Sequence, residues 1–226
     1  MKVKFGAIVV DGRNKIGGHV MSKNRSGAYM RTKVTPVNPR SVDQQNVRSR
    51  FSVISTSWDG LGHASVVNWN AAVANWSKSD IFGDIKHPSG FNLYQKLNNN
   101  ALRVGGTLLT SPPLKAILGV LGTLTIGTVT ASEIPCTVDL ASLSGDDKLE
   151  VLATPPTSMG KTFVKSEYRI IGSSLTITTG AFDCGALYMA KFGAPIDVTK
   201  PFFLQARIVN SVTGQAGIPV EAKFNP

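Results

Sequence analysis

The step Ser111-Pro112-Pro113 separates two stretches of different hydrophobic period, and that break limits the fold more than any other feature of the chain. Beyond it, short apolar or alternating runs lie between turn residues: Leu124 to Val129, Cys136 to Leu140, Leu149 to Ala153, Thr162 to Ile171, Leu175 to Thr178, Phe202 to Val209 and Ile218 to Phe224. Runs of this length and spacing predict a two-sheet antiparallel sandwich of immunoglobulin or fibronectin type over residues 114–226. The last two are expected to pair as a hairpin through Asn210 to Gly217, and Asp183 to Phe192 to form a short helix between strands. Ala116 to Ile126 is the most apolar stretch, but Gly119, Gly122 and its threonines make it a strand rather than a membrane span.

Before the break the period is helical. Ser41 followed by Gln44 has the spacing of a capping box, and Val47, Phe51, Ile54 and Trp58 then recur on one face until Asp59-Gly60. Val66, Trp69, Val73 and Trp76 repeat that spacing, so two helices are expected as an αα-hairpin held by their tryptophans. Phe91, Tyr94, Leu97, Ala101 and Val104 mark a third helix, ended by Gly105-Gly106. Phe51, Trp58, Trp69 and Trp76 are the structural residues of this 41–110 helical segment.

The first forty residues follow neither pattern. Val3 to Val10 is β-rich and closed by Asp11-Gly12, Gly17-Gly18 leads into a second extended piece, and Tyr29 to Val34 continues in the same style. The Thr35-Pro36 and Asn38-Pro39 steps keep the backbone extended. The expected product is a strand-rich extended arm, giving an α+β chain of three parts: arm 1–40, helices 41–110 and sandwich 114–226. Charge is concentrated at the same end. Residues 1–50 hold eleven basic side chains against Asp11 and Asp43, or +9 of the chain's formal +10. A leader so cationic is expected to meet something anionic or to pack on an acidic partner.

Sequence evidence for chemistry is sparse. His19, His63 and His87 are isolated from other metal-type ligands, and Cys136 and Cys184 read as two buried, reduced thiols. Asp146-Asp147 and the acidic residues between Asp80 and Asp84 read as solvated turns. Gly17-Gly18 lacks the surroundings of a dinucleotide fingerprint, and no phosphate loop, nucleophile elbow or zinc-protease motif occurs. No catalytic residue, metal or cofactor is expected, nor a signal peptide or membrane anchor. Lys15, Lys23, Arg25, Arg31 and Lys33 are the candidate binding residues, able to neutralise phosphates or to pair with a partner's carboxylates. With only Phe5 and Tyr29 as aromatics, the arm suits protein assembly ahead of single-stranded nucleic acid.

Several short motifs in one order resemble a set of phage and prophage structural-type proteins. They are Lys15-Ile16-Gly17-Gly18, Ser22 to Tyr29, Arg31 to Pro39 with its Pro-x-Asn-Pro step, then Gln44 or Gln45 with Arg48 and Phe51. Trp58, Trp69-Asn70, Ser89-Gly90-Phe91 and Lys96-Leu97-Asn98 continue the pattern, which covers roughly Val3 to Pro113. Where such proteins carry a Leu-Thr-x-x-Gln-Arg step, this chain has Leu61-Gly62-His63-Ala64-Ser65-Val66. The resemblance implies a virion setting and no reaction. The expected function is that of a non-enzymatic bacteriophage structural protein, associated with the capsid, a connector or the tail. It would be made in the host cytoplasm and contact other virion proteins and copies of itself. The alternative is a DNA-binding or packaging accessory protein that uses the same arm on phosphates.

Overall fold

A computed structural model describes residues 1–6, 11–115, 117–141, 144–176 and 180–226, without the side chains of 140 and 141. The chain is of mixed α+β class with antiparallel sheets, and it divides into two compact units. One is Met1–Val47 with Lys78–Lys86, and the other is Arg48–Ser77 with His87–Pro226.

The first unit contains strands β1 (Asn14–Ile16), β2 (His19–Asn24) and β3 (Gly27–Thr32), paired in that order. Gly17-Gly18 forms the two-residue turn between Ile16 and His19, and Gly17 takes the positive φ of 55° that such a turn requires. Arg25-Ser26 makes the second tight turn, where the Asn24 side chain accepts from the Ser26 N–H. Helix α1 (Val42–Asp59) follows and runs on into the second unit. Ser41 Oγ accepts from Gln44 N at 3.4 Å, but Gln44 Oε1 has no partner, so only half of the expected capping box forms.

In the second unit come α2 (His63–Ala72) and a 3-10 turn at Val73–Trp76. Strands β4 (Lys78–Ser79) and β5 (Ile85–Lys86) then return the chain to the first unit as a small hairpin. Helix α3 (Gly90–Arg103) starts at Ser89, whose hydroxyl accepts from Asn92 N. Leu93, Tyr94, Leu97 and Ala101 turn its apolar stripe inward, and Ile54, Trp69 and Val73 pack with it. The tryptophans of α1 and α2 do not hold a simple hairpin by meeting each other: Trp58 and Trp69 each meet the ring of Tyr94, with centroids 5.1 Å apart in both cases. The expected apolar face of α1 is covered only in its second half. Ile54 is buried, whereas Phe51 is 45% exposed and so does not serve the core role expected of it.

The sandwich is built from β6 (Val120–Ile126), β7 (Pro135–Ala141), β8 (Asp147–Ala153), β9 (Arg169–Leu175), β10 (Ala181–Asp183), β11 (Phe202–Asn210) and β12 (Val220–Phe224). Helix α4 (Gly185–Phe192) lies between β10 and β11 in sequence, as expected. One sheet has the order β10-β7-β6 and the other β12-β11-β8-β9. This arrangement of seven strands is immunoglobulin-like, and β11–β12 form the expected terminal hairpin. Alternate residues Phe202, Leu204, Ala206 and Ile208 of β11 point into a core shared with Leu124, Cys136 and Val138 of the facing sheet. Cys136 and Cys184 are free and buried. The run from Thr162 to Ile171 becomes strand only at Arg169, with Thr162 to Tyr168 as turn and loop ahead of β9. Part of the run from Leu175 to Thr178 lies outside the described residues, as does the second half of Val3 to Val10.

Glu150 of β8 joins the helical layer to the sandwich. Its side chain is 0% exposed, and its carboxylate meets Arg103 Nε of α3 at 2.6 Å and Arg207 Nε of β11 at 2.5 Å. A buried carboxylate loses its hydration and needs both guanidinium groups to replace it. Glu150→Gln is expected to lower the unfolding free energy by about 3–5 kcal/mol in urea denaturation. A loss below about 1 kcal/mol would assign the triad the weight of a surface ion pair. Trp69 is fully buried and donates from Nε1 to Thr110 O at 3.1 Å. Trp69→Ala is expected to cost about 3–5 kcal/mol in the same measurement.

Candidate interaction surface

Successive residues of a strand face opposite sides, and directly paired residues face the same side, so register sorts the first sheet into two faces. Lys15, Val20 and Arg31 form one transverse row, and Ser22 and Tyr29 form the next row on that face. The other face carries the row Asn14, Met21, Met30, the row Ile16, His19, Thr32, and the pair Lys23 and Ala28. One side is thus basic and polar around Val20, and the other gathers the apolar Ile16, Met21, Ala28 and Met30 among Asn14, His19, Lys23 and Thr32. On the apolar side Gly12 stands so close that a Cβ there would lie 2.8 Å from Met21 Sδ and 3.0 Å from the Phe5 ring.

The leader does not lie open as one long ribbon, which corrects the expected extended arm. Its strands fold into a meander, and residues 1–3 lie along β3, with Met30 N donating to Met1 O at 2.8 Å and Val3 N to Ala28 O at 3.0 Å. The β4–β5 hairpin supplies counter-charges from the same chain. Lys2 Nζ meets Asp80 Oδ2 at 3.3 Å and Lys4 Nζ meets Asp84 Oδ2 at 3.1 Å, with Lys4 also 5.2 Å from the Phe82 ring centroid. Asp80 is not the solvated turn residue expected. Asp80 does shape its turn, accepting from Phe82 N and Asp84 N, but its side chain is only 4% exposed.

The five candidate cations differ from these paired lysines. Asp11 engages Arg13, Asp80 engages Lys2, and Asp84 engages Lys4 and Lys86. Among the described residues, Lys15, Lys23, Arg25, Arg31 and Lys33 have no carboxylate partner, and all five are exposed. Lys15 and Arg31 share a face, Lys33 follows Arg31 by two residues, Arg25 tips a turn, and Lys23 points to the other side. A shallow groove of ≈ 360 Å³ is lined by Arg13, Asn14, Val20, Met21, Ser22, Lys23 and Arg31.

The aromatic candidates sit elsewhere. Trp69 is buried and Trp58 half-buried, while half-buried Trp76 lies beneath the ammonium groups of Lys96 and Lys115 at 5.6 and 5.9 Å. His19 lies in β2, His63 opens α2 and His87 follows β5. Among the described residues no group of three His, Cys, Asp or Glu side chains is placed to hold a metal, and no helix is long and apolar enough to cross a membrane. In comparisons with known proteins, no family model, curated protein or solved structure matches the chain.

Burial alone would raise the Asp80 carboxyl, but hydrogen bonds from the Phe82 and Asp84 amides and the Lys2 ammonium outweigh it and hold the group below its ordinary value of 3.8. A carboxyl lowered on folding stabilises above its unfolded value, and that contribution is lost as pH falls through the folded value. Hydrogen exchange of the Val3 and Met30 amides is therefore expected to be slow at neutral pH and to lose protection as pH drops below about 4. Asp80→Asn is expected to lose that protection already at neutral pH. Unchanged exchange in the variant would remove the hairpin from any part in holding the leader.

Proposed function

We propose that this chain is a non-enzymatic structural subunit of a larger particle, a phage virion in the setting that the sequence resemblance implies. Its N-terminal unit completes a core against neighbouring subunits. The observation that carries this reading is the lack of any buried residue among the described residues of that unit. Among its described residues none is buried, while Ile16, Val34, Val37, Ile81 and Ile85 are 60–85% exposed. A meander of three short strands is marginal in water unless its apolar face packs on something. Ile16, Met21 and Met30 offer such a face. The helices and sandwich, by contrast, have two buried clusters of their own and act as the rigid base.

Sedimentation of the full chain across a concentration series tests this. Association is expected, and Ile16→Ser with Met30→Ser is expected to weaken it by at least tenfold, since each exchange removes apolar contact area. Protease is expected to cut the exposed, irregular segment 33–40 in dilute protein and to be slowed in the associated form. A chain that stays monomeric at about millimolar concentration, the weak end of binding, would overturn the reading.

A further inference from the structure

The apolar face serves association; the opposite face presents a different chemistry. Lys15 and Arg31 lie in one row with Val20 between them, so two strand spacings, about 10 Å, separate their backbones. Lys33 continues the side of Arg31, its N–H held by Gly18 O at 2.8 Å, and Arg13 stands two residues before Lys15. Ser22 and Tyr29 add hydroxyl groups. Asp11, engaged by Arg13, lies at the margin, and the nearest strongly acidic hairpin is occupied by Lys2, Lys4 and Lys86. Folding has gathered Lys15, Arg31 and Lys33 on one side and, among the described residues, left those three without a carboxylate partner.

We propose that this face binds the phosphate backbone of nucleic acid without reading its sequence. An acidic protein partner fits less well, because protein interfaces seat an apolar centre within a polar rim, and here that centre would be little more than the half-buried Val20 between Lys15 and Arg31. Separate point charges with so little apolar surface between them match an anion that repeats along a line, and such contacts release counterions. Arg31 and Lys15 are exposed, and among the described residues no side chain braces them for a fixed contact to a base edge, so duplexes of different sequence are expected to bind alike. This role stands apart from subunit association, which uses the opposite face.

Fluorescence anisotropy of the full chain with a labelled duplex of mixed sequence tests the proposal over a salt series. Neutralisation of three phosphates by Lys15, Arg31 and Lys33 predicts a log–log salt slope of about −3, or roughly 40-fold weaker binding for a fourfold rise in salt. Lys15→Gln with Arg31→Gln is expected to flatten the slope by about two, and Arg31→Gln alone by about one, with self-association retained. Lys165→Gln with Lys223→Gln, two exposed lysines of the sandwich unit, is expected to leave the slope unchanged. No binding at about 50 mM salt, equal losses in both double variants, or tighter binding to a polyglutamate than to the duplex would each overturn the proposal.

Discussion

Everything in the larger unit turns on a carboxylate that has no water to face. Glu150 points from the middle of the sandwich toward α3, and only Arg103 and Arg207 together make that position tolerable. Burial lowers the pKa of Arg103, and the nearby Glu150 charge works in the opposite direction. The same end of α3 makes further bonds to the β11–β12 loop: Asn100 Nδ2 donates to Gly214 O at 3.0 Å, and a Cβ on Gly214 would sit 2.0 Å from Leu97 O. Helix and sandwich are therefore joined by charge, by an amide and by a backbone approach that only glycine allows. A less specific apolar contact would leave the helix free to slide, whereas a buried ion triad with few alternatives favours one register.

The two units represent opposite solutions to folding. The larger has Trp69, Tyr94 and Leu97 fully buried in one cluster and Phe202, Leu204 and Ala206 in another. In the smaller, order comes from turn geometry, ladder hydrogen bonds and a few ion pairs. Bonds of that kind contribute little net free energy when exposed. The smaller unit is accordingly where local opening and remodelling by a partner are least costly.

Local features were legible in the sequence where local physics decides. The alternation of Phe202, Leu204, Ala206 and Ile208, the helical spacing from Phe91 to Val104, and the sites of the tight turns all emerged from residue pattern. Long-range partners did not. Glu150 lies 47 residues from Arg103 and 57 from Arg207, and a lone glutamate in a strand reads as a solvated side chain. Lys2 and Asp80 are 78 residues apart, so the pair that closes the leader onto its hairpin left no local trace. Phe51 illustrates a different limit, since periodicity identifies an apolar stripe but cannot say whether anything covers it. The cations were visible as a cluster, yet their division between two faces required the register of β1, β2 and β3.

The path of the chain gives the small unit an unusual attachment. Because the hairpin Lys78–Lys86 belongs with Met1–Val47, the backbone passes between the units three times, at residues 47–48, 77–78 and 86–87. A nick in the loop 33–40 would consequently leave the leader clamped by Asp80 and Asp84, and the severed piece would co-purify with the remainder until acid or salt loosened it.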